Sequence, residues 1–179
     1  MTYKSIILFL ALIYGVSIIG FLFPKLKTGI IPRKTKGLLG IMTATLFHHN
    51  WKHLLSNTLP LAVLLFTLQY FYASQTLYVV AIIIFIGGFL LWLFGRKANH
   101  IGASGMIYGL TAFIITTGFV NFKPIPLLVS TITMLVYGGL IFGIFPSNKK
   151  NTSWEGHLLY ALTGIFTAYF CKNAYYIIH

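Results

Sequence analysis

The chain has 179 residues, 58% of them hydrophobic and only 8% charged, with 13 Lys and Arg against one acidic residue, Glu155, and no aspartate. Soluble domains carry about 25% charged residues, so this balance excludes a water-soluble globular protein and indicates an integral membrane protein. The missing carboxylates exclude a two-aspartate protease, an HExxH zinc protease and a complete Ser-His-Asp triad, and the net charge of +12, confined to short connectors, points to anionic lipid headgroups rather than nucleic acid.

Apolar runs of about 20 residues, the length that crosses a hydrocarbon core about 30 Å thick, recur along the chain. They predict an all-α, polytopic bundle of six transmembrane helices, at residues 5–23, 53–73, 76–94, 104–120, 125–145 and 154–171, in a single domain over 1–179. The first run follows Lys4, is long for a signal peptide and lacks a small-x-small cleavage site, so it reads as the first span. The connector at 24–52 carries Lys25, Lys27, Arg33, Lys34 and Lys36, then a weakly amphipathic stretch at 37–47 that is too short to cross. This stretch is expected to lie in the interface or dip partway in, with Trp51 as an aromatic anchor.

The second helix opens with HLLSN, which sets His53 and Asn57 at i and i+4 on one face. Both can donate hydrogen bonds, either to an oxyanion or, for Asn57, across to a neighbouring helix. The fourth helix begins within NHIGASGMIYG, residues 99–109, where Ser104 stands among Gly102, Gly105 and Gly109. A helix start exposes unpaired N–H groups and suits a developing anion, although small residues spaced like Gly105 and Gly109 more commonly serve packing. Tyr108 lies one turn after Ser104, placed to pack on an imidazole or in the core. In the sixth helix, His157 is an ionisable group within an apolar span. Alone it would bond a backbone carbonyl or face interfacial water; paired with Ser104 at matching depth it becomes a general base. Glu155 is two positions away, about 200° around the helix, which favours a dyad over a triad. His48, His49 and His100 fall in connectors without carboxylate or cysteine at ligand spacing, so neither metal nor cofactor is expected. Cys171 is the only cysteine and excludes an internal disulfide.

With six spans, the second, fourth and sixth helices begin on the same face. At about 1.5 Å per residue, His53, Asn57, Ser104 and His157 all lie within roughly 6 Å of it, so three polar helix beginnings can meet in a shallow cavity. The same parity puts ten basic residues on that face (Lys25, Lys27, Arg33, Lys34, Lys36, Lys52, Arg96, Lys97, Lys149, Lys150) and three opposite (Lys4, Lys123, Lys172). The positive-inside rule would then turn the cavity toward the cytoplasm.

GASGMIYG resembles the GxSG nucleophile motif of the rhomboid intramembrane serine proteases, with the family's tyrosine one turn on. HHNWKHLLSN is similar to the family's second-helix signature, including a histidine, His48, five residues before the HxxxN pair, and SWEGHLLYALTG resembles its histidine-bearing sixth helix. The resemblance implies a six-span fold with Ser104 as nucleophile, His157 as general base, His53 and Asn57 in the oxyanion hole, and Gly102 and Tyr108 in support, Tyr108 stacked on His157. It implies substrates that are transmembrane segments of other proteins, cut near helix-destabilising residues by water reaching the cavity from the loop side. A multi-pass protein of a bacterial cell membrane is the expected setting. Three features depart from the family pattern. Tyr160, three residues after His157, stands where glycine is usual, so the fourth and sixth helices are expected to pack less closely, although Gly164 fits the next small site. The first loop lacks the family's Trp-Arg pair. The family's site also opens to the extracytoplasmic side, against the charge count; a membrane-associated first loop is a poor counter of translocated charge, so the resemblance implies a cavity that faces outward. The alternatives are a non-catalytic relative that binds and escorts transmembrane helices and, more remotely, a small permease, for which no broken-helix repeat is visible.

Overall fold

The computed structural model describes residues 1–146 and 153–171. Among them, five helices are long and apolar enough to cross a membrane: Tyr3–Leu22, Trp51–Phe71, Thr76–Phe94, Ser104–Asn121 and Pro124–Ile144. The sixth span, Trp154–Phe170, has 17 residues, about 25 Å at 1.5 Å per residue. The protein is thus an all-helical, multi-pass membrane bundle, and no strand occurs among the described residues.

The fourth span is the axis: 61% of its apolar stretch is buried, against 17% for the fifth. Its Met106, Leu110, Phe113 and Ile114 are fully enclosed, by Leu61, Leu65 and Leu68 of the second span and Ile83 of the third among others. Lipid tails are as apolar as leucine, so association within the bilayer rests on close packing and interhelical hydrogen bonds rather than on burial from water. Both are visible. Gly164 of the sixth span lies directly against the Gly109 carbonyl of the fourth, an approach that a side chain at 164 would block. Ser130 of the fifth donates to the Ile114 carbonyl at 2.6 Å, in contact with Gly118.

The fourth and sixth spans are therefore tightly packed, which corrects the expectation drawn from Tyr160. Its ring is 4% exposed and fits a slot made by glycines on two other spans. A Cβ at Gly87 or Gly105 would stand 2.8 or 3.0 Å from that ring, and one at Gly88 3.3 Å from its hydroxyl. The third span widens into a π-helical turn over Ile83–Gly87 beside this slot, a device common where a helix must accommodate a neighbour or a site. The fifth span also differs from the continuous helix expected over 125–145. Its α-helix ends at Tyr137, and a tighter 3₁₀ segment, Gly138–Ile144, follows where the Gly138–Gly139 pair offers weak helix propensity.

The first connector folds against the bundle. A short helix, Lys36–Thr43, continues as a 3₁₀ turn, Ala44–Leu46, with Gly37 and Gly40 against the connector's own backbone and Leu38, Leu39 and Met42 exposed. Ile30 and His100 exchange backbone hydrogen bonds, both 3.0 Å, joining the first connector to the one before the fourth span. Arg33 caps the end of the third span: its N–H donates to the Trp92 carbonyl at 3.0 Å and its guanidinium to that of Leu93 at 2.8 Å. The Trp92 indole donates back to Lys34 at 3.0 Å. A Trp and an Arg thus anchor this loop after all, the Trp coming from the third span. Trp51 is half exposed and packs on Phe21, ring centres 5.0 Å apart.

Candidate active site

Three helix beginnings converge on one cavity. Asn50 caps the second span by accepting from the His53 N–H at 2.9 Å. Ser153 caps the sixth by accepting from Gly156 N–H at 3.2 Å, and Ser104 is the first helical residue of the fourth. A cavity of about 320 Å³ opens between them, lined by His53, Asn57, Arg96, Asn99, Ser104 and His157 among others.

Within it, Ser104 Oγ lies 3.1 Å from His157 Nε2. The other ring nitrogen, Nδ1, is 3.0 Å from the Gly143 carbonyl oxygen at the end of the fifth span. A carbonyl only accepts, so Nδ1 carries the proton, Nε2 presents a lone pair, and the serine hydroxyl donates to it. Tyr108 stacks on the imidazole, ring centres 4.0 Å apart and planes 5° from parallel. Glu155 points elsewhere, pairing with Arg96 at 3.4 Å.

Next to Ser104, the second span contributes side-chain nitrogens without partners. The Asn57 side-chain nitrogen and His53 Nδ1 are buried and have no hydrogen-bond partner among the described residues. Ser104's own N–H belongs to the first turn of its helix, where no intrahelical acceptor exists. Gly102 makes this crowding feasible: its φ is +121°, a backbone conformation side chains disfavour, and a Cβ there would stand 2.5 Å from the His53 ring.

Two histidines read as simple connector residues prove to be buried struts. His48 is fully enclosed. Ser17 donates to the Leu46 carbonyl at 2.8 Å, so it accepts from His48 Nδ1–H at 3.0 Å, and His48 Nε2 accepts the Ala103 N–H at 3.3 Å. The imidazole therefore ties the first span to the residue preceding Ser104. Burial holds its pKa far below the usual range, at about 3, and the nearby His53 and His49 rings add to the depression. His100 donates from Nε2 to the Arg96 carbonyl at 3.0 Å and accepts from the Ser153 hydroxyl at 2.7 Å, clasping the connector before the fourth span to the cap of the sixth. Its pKa is also lowered, mainly by burial. The HxxxxH spacing hinted at His48; neither the Gly143 carbonyl nor the Ser153 clasp leaves any trace in residue spacing. Among the described residues, no three His, Cys, Asp or Glu side chains gather as a metal site would require.

Comparison with known proteins gives this geometry its family. The rhomboid domain model matches residues 35–174. An uncharacterized protein of Mycobacterium tuberculosis and one of Mycobacterium bovis are each 38% identical to the chain, over 92% of it and 73% of the relative. An uncharacterized protein of Mycobacterium leprae is 34% identical over 92% of the chain and 69% of its own length. With that match covering all three helix beginnings, the chain belongs to the rhomboid family.

Proposed function

We propose that the protein is an intramembrane serine endopeptidase that hydrolyses peptide bonds in or near transmembrane segments of other proteins, in the cell membrane of a bacterium. The observation that carries this reading is the serine hydroxyl donating at 3.1 Å to an imidazole nitrogen whose lone pair is made available by the Gly143 bond on the opposite side of the ring. In the first step Ser104 Oγ attacks the scissile carbonyl while its proton passes to His157 Nε2. The carbonyl π electrons move onto oxygen, and the resulting oxyanion is received by the unspent donors of Asn57 and His53 and by the Ser104 N–H. His157 then returns the proton from Nε2 to the departing amine, leaving an acyl-serine. Water entering through the cavity attacks the ester carbonyl as one of its protons passes to the same nitrogen; the second tetrahedral intermediate then breaks its bond to Ser104 Oγ, which takes that proton back as the acid is released. General-base assistance of this kind contributes about 10²- to 10⁴-fold, and each oxyanion donor about 10²- to 10³-fold.

The test is cleavage of a membrane-spanning reporter. Ser104→Ala abolishes it while the variant retains its helical content, and fluorophosphonate labels the native protein but neither Ser104→Ala nor His157→Ala. Undiminished cutting by Ser104→Ala would overturn the assignment; a native protein that neither cuts nor labels, yet captures transmembrane peptides, would make it the helix-binding relative.

A further inference from the structure

We propose that the main-chain carbonyl of Gly143, delivered by the fifth span, is the third partner of the Ser104–His157 pair and acts as a positioning residue, fixing which imidazole nitrogen bears the proton. The proposal rests on the protease reading for its catalytic meaning, but the tautomer itself is measurable without turnover.

A neutral imidazole has one N–H and one lone pair, and it serves as a base toward Ser104 only when the proton sits on the far nitrogen. In serine hydrolases of the triad type a carboxylate holds that proton. Here the chain's one carboxylate, Glu155, is engaged with Arg96. The far nitrogen of His157 meets the Gly143 carbonyl at 3.0 Å instead. That carbonyl is free to accept because it lies in the last turn of the segment Gly138–Ile144, where carbonyls run out of intrahelical N–H partners. When His157 takes the serine proton, both ring nitrogens become donors: Nδ1–H stays on Gly143 and Nε2–H is left to serve the departing amine.

Residue identity supports the role. A Cβ at 143 would fall onto the Tyr108 hydroxyl and stand 3.3 Å from His157 Nδ1. Only glycine lets this backbone reach the edge of the stacked Tyr108–His157 rings. The element that carries it is also the least buried of the long spans, at 17%, so the orientation of the base depends on where the fifth span sits.

The test replaces Ile144 by its α-hydroxy acid, which turns the 143–144 linkage into an ester and makes the Gly143 carbonyl a weaker acceptor without altering any side chain. Glycolic acid at position 143 is the control, since it removes a neighbouring N–H and weakens the Phe142 carbonyl instead. ¹⁵N spectra of histidine-labelled protein in detergent micelles, with His157 assigned through His157→Gln, report the tautomer. We expect the Nδ1–H form in the native protein, an increased Nε2–H population in the 144 ester, and a kcat lowered about five- to ten-fold with KM nearly unchanged, as fits the loss of about one neutral hydrogen bond. The control ester should match the native protein. An Nε2–H tautomer in the native protein, or equal responses from the two esters, overturns the proposal. A native protein without any turnover counts against the protease assignment alone, because the spectra still decide the role of Gly143.

Discussion

His48 shows how much a single side chain can be asked to do. It spends both ring nitrogens on neutral hydrogen bonds, one to Ser17 and one from the N–H of Ala103, and no solvent reaches it. A proton added to Nε2 would face the Ala103 N–H, donor against donor. The folded ring therefore stays neutral down to about pH 3, whereas in the unfolded chain it protonates near 6.5. The unfolded state binds the extra proton between those limits, so the stability this group lends is complete above about pH 6.5 and falls as pH drops toward 3. We expect unfolding in detergent to be insensitive to pH between 8 and 7 and to lose on the order of 1 kcal/mol by pH 5.5, with a shallower slope in His48→Gln. Ser104, His157, His53 and Asn57, which present side chains to the cavity, were legible because their spacing on helices of known pitch sets their depth and face. His48 was visible in its spacing from His53 but its role was not, and Gly143 was not visible at all, because each acts through the main chain, Ala103 N–H in one case and its own carbonyl in the other, and the backbone is the same at every position.

Among the elements, the third and sixth spans show how a departure from the family pattern is accommodated. Tyr160 fills a slot formed by Gly87 and Gly88 on one helix and Gly105 on another, beside the π-helical turn, while Gly164 preserves the close backbone contact one turn further on. The chain reveals each of these glycines, but not that two separate spans aim them at one ring. That is a property of helix rotation in the assembled bundle, which apolar periodicity in lipid hardly encodes. Removing the ring should leave a void that the rigid glycine faces cannot close. Tyr160→Ala is expected to lower stability by about 3 kcal/mol in denaturant titrations in micelles, while Tyr169→Ala, at a position 59% exposed, changes it by less than about 0.5 kcal/mol. Equal effects at the two positions would mean that the slot is not a packing site. The fifth span is the least legible for a related reason: the switch from α to 3₁₀ after Tyr137 falls at glycines within an otherwise unbroken apolar run.

Across the whole molecule, connector charge and sequence motif point in opposite directions. By connector charge, the cavity face holds ten of the basic residues and would remain in the cytoplasm. Half of those ten lie in the first connector, which is folded onto the bundle by the Ile30–His100 pairing and the Arg33 cap, so they do not behave as a free loop awaiting translocation. We propose that the cavity faces outward. In a Cys171→Ser background, a cysteine at exposed Lys97 should react with a membrane-impermeant maleimide on intact cells, and one at exposed Lys123 only after lysis. The reverse pattern would place the cavity inside. The span count and the convergence of helix beginnings followed from run lengths and parity; the loop's anchorage did not, since Trp92 sits in a different part of the chain from the arginine it accompanies.

That anchorage also makes the molecule mechanically lopsided. The first connector is stitched to the third span and to the stretch before Ser104, so these segments are tied together on one flank. The fifth span packs mainly on the fourth and has the lowest buried share of the long spans, 17%. A crosslink between the fifth span and its neighbours is therefore expected to slow backbone amide exchange across the bundle more than the same crosslink placed on the stitched flank.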